Sequence, residues 1–333
     1  MYDILNSMNF VQNRYAIPHE SQLQSMKDCV KAGLYPFEYF DNGMFLNSNV
    51  KPKDYLGIEA VNRMYKICDP NLATYHNFTI RHAAQSKYLF NLMADNLLLP
   101  QPRTKQWEYF VENKISFIAK PNRGYGGQGF ITFEYSEEKQ EWSSCSNWIN
   151  YSSMKDWCER LQEKFIFQEF LPSNIPCDNG QYTLSGYRVL MFFKNKQQPS
   201  LIGHFLRYQY FRNYIDNFVS KNGIASINPI GRPTLVISGD YQLPIKEIPC
   251  PKGLTLSKAM MNIILDDIKS FDSYIDAPKG VILGFDVLLR LDKHGTFRFY
   301  FTEMNHRTGI STLQIVNRNG LRPLISDIIG VRL

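Results

Sequence analysis

Four glycines fall within six residues, at Gly124, Gly126, Gly127 and Gly129, between two stretches with strand character. Residues 116–120 form a short apolar run, and residues 130–135 alternate in the same style. The expected unit is strand, glycine loop, strand. A helix does not follow the loop, so it is not the dinucleotide loop of a doubly wound sheet. No Lys-Ser/Thr follows the last glycine, so it is not a P-loop either. Such a loop can bring backbone N–H groups close to an anion, and Lys120 at the strand end adds a point charge. Read alone, the segment is more simply a flexible hairpin turn.

The rest of the chain supports a mixed architecture. Residues 55–68 carry apolar residues at helical spacing, and residues 83–98 read as one amphipathic helix stopped by Pro100 and Pro102. A helix over 154–164 precedes a buried strand over 165–171. Strands over 187–194 and 201–210 and a helix over 258–271 come next. Residues 281–291 and 296–304 are strands separated by Asp292-Lys293-His294-Gly295, a hairpin turn. The tail over 312–333 reads as helical, with breaks at Asn319-Gly320 and Pro323. Helices first and strands later make the fold α+β.

Three further segments carry chemistry. Asp286 is a lone carboxylate in an apolar strand, which is costly unless it is paired or holds a metal; the plain alternative is an Asp on a polar edge. Glu303 and Asn305 alternate along the next strand and so share a face, and Arg307 falls two residues further on. If the two strands pair, Asp286 comes near that face, and two carboxylates with an amide oxygen suit Mg2+. Phe165-Ile166-Phe167-Gln168-Glu169-Phe170-Leu171 is either the wall of a base site or an ordinary core strand. The segment around Arg207 and Arg212 interleaves basic and aromatic residues, as a nucleic-acid surface would, but its charges are few.

Composition excludes several classes. With 333 residues, 44% hydrophobic, the chain has ample material for a core. No apolar run approaches the roughly 20 residues of a membrane span, and residues 1–18 lack the apolar stretch of a secretory signal. The six cysteines are scattered, with no zinc spacing, so free thiols in the cytoplasm are expected. A net charge of +6 suits an anionic small ligand, and nucleic acid is not an expected partner.

Together and in this order, the motifs resemble the ATP-grasp superfamily of carboxylate–amine ligases. The matching pieces are Ser86-Lys87 with Leu99-Pro100, the Lys120-Pro121 strand end with its glycine hairpin, and Gln168-Glu169-Phe170-Leu171. Arg188 and then Asp286 with Glu303-x-Asn305-x-Arg307 complete them. The resemblance covers about residues 80–312. It implies an ATP-grasp fold, two α+β subdomains clamping ATP, after a short N-terminal region. The implied division is residues 1–80, a lid subdomain over 81–170 and a Mg2+-bearing subdomain over 171–333.

By the same resemblance, Lys87 and Lys120 contact ATP phosphates, and Gly124, Gly126, Gly127 and Gly129 form a lid over them. Gln168, Glu169, Phe170 and Leu171 meet the adenine. Asp286, Glu303 and Asn305 hold Mg2+. Arg307, Arg207 and Arg188 act on the reacting groups, with Asn217 lining the site and Asp178 as a ribose candidate. His306 has no role beyond packing. The implied activity is ATP-dependent joining of a carboxylate to an amine through an acyl phosphate. A kinase-like phosphotransferase and a non-catalytic nucleotide-binding protein are the alternatives, and a homodimer is one allowed assembly.

Overall fold

The computed structural model describes residues 4–123, 129–144, 147–176, 182–210, 223–225, 237–238, 256–307 and 309–333. Helices α1 (Ile4–Tyr15), α2 (His19–Lys31), α3 (Glu38–Asp41) and α4 (Ile58–Ile67) come first. A short ribbon, β1 (Thr74–Tyr75) and β2 (Phe78–Thr79), leads into α5 (Ile80–Gln85) and α6 (Lys87–Asn96). The middle of the chain holds α7 (Trp107–Glu112), β3 (Phe117–Pro121), β4 (Ile131–Ser136), β5 (Glu141–Ser144), β6 (Asn147–Ile149), α8 (Tyr151–Leu161) and β7 (Phe165–Glu169). Next come β8 (Ile175–Pro176), β9 (Tyr182–Phe193), β10 (Ser200–Tyr210), β11 (Gly223–Ala225), β12 (Ile237–Ser238) and α9 (Lys258–Lys269). The last elements are β13 (Ile275–Asp276), β14 (Val281–Leu291), β15 (Phe297–Asn305), α10 (Ile310–Asn317) and α11 (Arg322–Ile329).

The fold is α+β, as the element order implied. Two antiparallel sheets dominate. A five-stranded sheet has the order β6-β5-β4-β3-β7; a seven-stranded one has β12-β11-β10-β9-β14-β15, with β8 alongside β9. Alternation along β3 and β7 divides the smaller sheet into two faces. Phe117, Ala119, Phe133, Trp142 and Phe167 pack against Trp107 and Phe110 of α7 and Met154 and Cys158 of α8. Ile118, Lys120, Ile166 and Gln168 belong to the opposite face.

The larger sheet is covered on both faces. Val189, Met191 and Phe193 of β9 pack with Leu283 and Phe285 of β14, Phe90 of α6 and Ile264 of α9. On the other face, Leu190, Phe192, Ile202 and Ile282 share one core with Met26, Phe40 and Met64 of the first helices and with Leu313 and Ile325 of α10 and α11. Helices from both ends of the sequence therefore close over the same side of the sheet. A polar clasp fixes that junction. The fully buried Gln314 accepts from Leu56 N (2.8 Å) and Leu321 N (3.2 Å), and donates to Asn42 Oδ1 (2.8 Å) and Leu56 O (3.1 Å). Gly203 lets α10 approach: a Cβ there would lie 2.6 Å from Leu313 Cδ2.

Some elements differ from the sequence reading. The helix expected over 83–98 is two helices, because Ser86 is extended (φ −110°, ψ 111°) and caps α6 by accepting from Leu89 N at 3.2 Å. Pro323 does not break the tail; it sits in the first turn of α11, where a missing N–H is harmless. Helix α7 and strands β5 and β6 had no counterpart in the pattern. They are short and polar-flanked, and β5 and β6 gain their place by pairing with a neighbour.

Candidate active site

The site begins with a register. Asp286 of β14 lies directly opposite Glu303 of β15, and Gly284 lies opposite Asn305. The pairing shifts between Asp286 and Val287, which is opposite Phe301, so Thr302 is an extra residue. This bulge reverses the face. Before it, Phe297, Phe299 and Phe301 turn toward the core; after it, Met304 does, leaving Glu303 and Asn305 with Asp286 on the other face. The Thr302 hydroxyl donates to Asp286 O (3.1 Å) and holds the bulge in place.

Strand β9 brings arginine to the same point. Arg188 is the register partner of Asp286, and its guanidinium grips that carboxylate with two hydrogen bonds. Arg188 Nη2 also lies 3.9 Å from Glu303 Oε1, and Arg207 Nη1 of β10 lies 3.5 Å from Asp286 Oδ2. Burial by itself would raise the Asp286 carboxyl, but the two guanidiniums override it and hold the group well below the usual carboxylate range. Burial and the neighbouring Asp286 charge push Glu303 the other way, upward. Asn305 Nδ2 donates to Glu303 Oε1 at 3.0 Å and lies 3.4 Å from Asp286 Oδ2.

Two ammonium groups face this cluster. Lys87 is the first residue of α6, and Lys120 sits on β3; the charges of both interact with that of Glu303. Burial lowers both lysines, Lys120 to about 8, with Glu303 partly opposing the shift. The Lys120 ammonium donates to Gln168 Oε1 (2.9 Å). The start of α6 is tied to the base of the glycine hairpin. Lys87 N donates to Asn122 O (3.0 Å), and Asn122 Oδ1 accepts from Tyr88 N (3.0 Å) and Ser86 Oγ (3.1 Å). Arg123 Nη2 donates to His82 Nε2 at 3.2 Å.

The remaining candidates are placed as follows. Glu169 pairs with Arg103 at 4.0 Å, and Phe170 N donates to Ser116 O at 2.9 Å. Phe170 and Leu171 are half-buried just past β7. Gly129 has φ +75°, a backbone state that favours glycine, where the hairpin rejoins β4. Gly124, Gly126, Gly127, Asp178 and Asn217 lie outside the described residues. Arg307 does not continue the alternation of Glu303 and Asn305, because β15 ends at Asn305. Its exposed guanidinium instead lies 6.0 Å from the centre of the Tyr65 ring on α4. The sequence reading missed Thr104, Asn91 and Arg123. The Thr302 bulge was also missed, although the three-residue step from Phe301 to Met304 in the apolar pattern marks it.

The donor set fits a divalent cation. Two adjacent carboxylates and an amide are hard oxygen ligands, and a cation there would share the carboxylates with the Arg188 guanidinium that lies beside both. No three acidic, histidine or cysteine side chains cluster at metal distance among the described residues, so the amide or a ligand's oxygens would complete the shell.

No protein-family model and no curated protein matches the chain. Solved structures do. The N5-carboxyaminoimidazole synthetase of Staphylococcus aureus is similar over 82% of this chain and 58% of its own, at 8% identity and a TM-score of 0.41. The N5-carboxyaminoimidazole ribonucleotide synthetase of Thermotoga maritima is similar over 69% and 44%, at 12% identity and a TM-score of 0.37. For the biotin carboxylase subunit of a pyruvate carboxylase the values are 70% and 45%, 12% and 0.32. The chain spans about half the length of these structures. The order of its sequence motifs resembles that of the ATP-grasp superfamily. Among the described residues, no helix is long and apolar enough to cross a membrane.

Proposed function

We propose that this chain binds ATP with Mg2+ and uses it to join a carboxylate to an amine through an acyl phosphate. One observation carries the reading: a register-paired Asp286 and Glu303, with Asn305 and two arginines, face two lysines from other elements. Such an arrangement suits a triphosphate and a small anionic acid. Lys87 and Lys120 bind phosphate oxygens. Asp286, Glu303 and Asn305 hold the cation, which when bound offsets phosphate charge as a Lewis acid. Arg188 and Arg207 orient the acid substrate and offset charge on the transferring group. The glycine hairpin excludes water from the acyl phosphate.

The bonds balance simply. A substrate carboxylate oxygen bonds to the γ-phosphorus as the bond to ADP breaks. An amine then bonds to the carbonyl carbon, loses a proton, and phosphate leaves. No enzyme nucleophile is required, because the protein supplies position and charge. The acid and amine are small molecules, an amino acid or peptide among them, and the place of action is the cytoplasm.

The test is product formation from Mg-ATP with pooled carboxylates, with and without amines, resolving ADP, AMP and phosphate. ADP and phosphate that depend on an acid–amine pair support the ligase; AMP contradicts it, and a phosphorylated acid formed without amine dependence marks a kinase. Glu303→Gln and Lys120→Ala should each reduce turnover at least 100-fold, as loss of one charge-stabilising group does. Unchanged turnover in either folded variant refutes the site.

A further inference from the structure

The face of the smaller sheet that carries Lys120 also carries Gln168, which the resemblance assigned to the adenine. Gln168 is 1% exposed, yet it is not in an apolar slot. Its oxygen takes the Lys120 ammonium at 2.9 Å. An ammonium has only protons to offer, so the amide must present oxygen there. The NH2 end is then fixed toward acceptors, Thr104 Oγ1 at 3.3 Å and Pro102 O at 3.4 Å. Thr104 is anchored in turn by the buried Asn91 of α6, whose Nδ2 donates to its hydroxyl at 2.9 Å. Backbone bonds from Lys105 N to Phe167 O (3.3 Å) and from Glu169 N to Arg103 O (2.8 Å) fasten the same stretch to β7.

We propose that Gln168 is a positioning residue: it aims the Lys120 ammonium at the phosphates and does not read the base. This rests on the nucleotide-binding reading. Both N–H donors and one lone pair of the amide are taken by protein groups, and at 1% exposure the side chain offers almost no surface to an adenine edge. The choice of an amide also has a charge consequence. A glutamate would pair with Lys120 and offset its charge; glutamine holds the ammonium while leaving that charge to the ligand. The charged groups facing Lys120 are Glu303 of β15 and Lys87 of α6.

The test is binding of ATP, GTP and inorganic triphosphate, each with Mg2+, to the full chain by calorimetry. Gln168→Leu should weaken all three ligands by the same factor, about tenfold for one charge-assisted hydrogen bond. In a Lys120→Ala background it should add almost nothing, because the two act as one unit. Gln168→Glu keeps the shape and serves if the leucine variant fails to fold. It should weaken all three ligands and move the alkaline midpoint of triphosphate binding upward, because the new carboxylate stabilises charged Lys120. A loss confined to ATP, losses that add to those of Lys120→Ala, or a Gln168→Glu protein with unchanged affinity and pH profile would each overturn the inference. Failure of the wild-type protein to bind any of the three refutes the nucleotide reading itself, a separate result.

Discussion

Single side chains in this molecule carry free energies that can be measured one at a time. Lys120 is held near 8 because burial disfavours its charge. Below that pH it is charged whether the chain is folded or unfolded. Between about 8 and its ordinary value near 10.4, the unfolded chain binds the extra proton, so stability rises with pH across that window. A phosphate beside the ammonium restores its charge. Binding of Mg-ATP at pH 9 should therefore take up protons, and binding at pH 7 almost none; calorimetry in buffers of different ionisation enthalpy measures this. Lys120→Met should remove most of the uptake, and an unchanged value would show that other groups are responsible. Gln314 is the structural counterpart. Replacing it with leucine leaves Leu56 N, Leu321 N and Leu56 O without their partner, at a cost of about 3 kcal/mol or more in urea unfolding. A loss below about 1 kcal/mol would mean that water takes its place.

Among the elements, β15 carries Glu303 and Asn305 to the site face just past one surplus residue, Thr302. Deleting Thr302 removes the bulge but keeps Phe301 opposite Val287 and Glu303 opposite Asp286, so simple alternation leaves Glu303 on the site face and Met304 in the core. The shortened chain should keep its far-ultraviolet spectrum near the wild-type one and retain Mg-dependent ATP binding; lost binding would show that the local bend at the bulge, and not the alternation alone, sets the site. This element also shows how far sequence reasoning reaches. The β14–β15 hairpin was legible because Asp292 and Gly295 mark its turn and apolar alternation marks its arms. The common face of Glu303 and Asn305 was legible from period two alone. The approach of Asp286 to that face followed from pairing the two strands, but the Thr302 bulge that sets their register did not, since it is a property of both strands at once. The break at Ser86 was hidden for a similar reason: the apolar periodicity runs across it, and the cap is stabilised by Asn122, remote in sequence. Arg188 was assigned by resemblance, while its grip on Asp286 depends on the β9–β14 register, which no motif encodes.

At the scale of the whole molecule, the smaller sheet has a core of its own, and the larger sheet shares its cores with both chain ends. Three buried cysteines report on this division. Burial pushes the Cys29 thiol to about 12, Cys68 to about 11 and Cys158 to about 12, so none reacts as a thiolate while covered. In iodoacetamide labelling at pH 8 with rising urea, Cys29 and Cys68 should become reactive together, since they lie in one core, and Cys158 should follow its own curve. Separate transitions for Cys29 and Cys68 would divide a core that the packing joins. The face that holds Cys29 and Cys68 continues along β9 from Phe192 and Leu190 directly to Arg188. Anything that seats on the arginines thus braces strands whose far ends clamp the first helices. A ligand present at a hundred times its dissociation constant adds about 2.7 kcal/mol to a fold it binds. Melting temperature can then serve as a detector for a library of unlabelled acids and amines, identifying the natural substrates before any turnover has been seen.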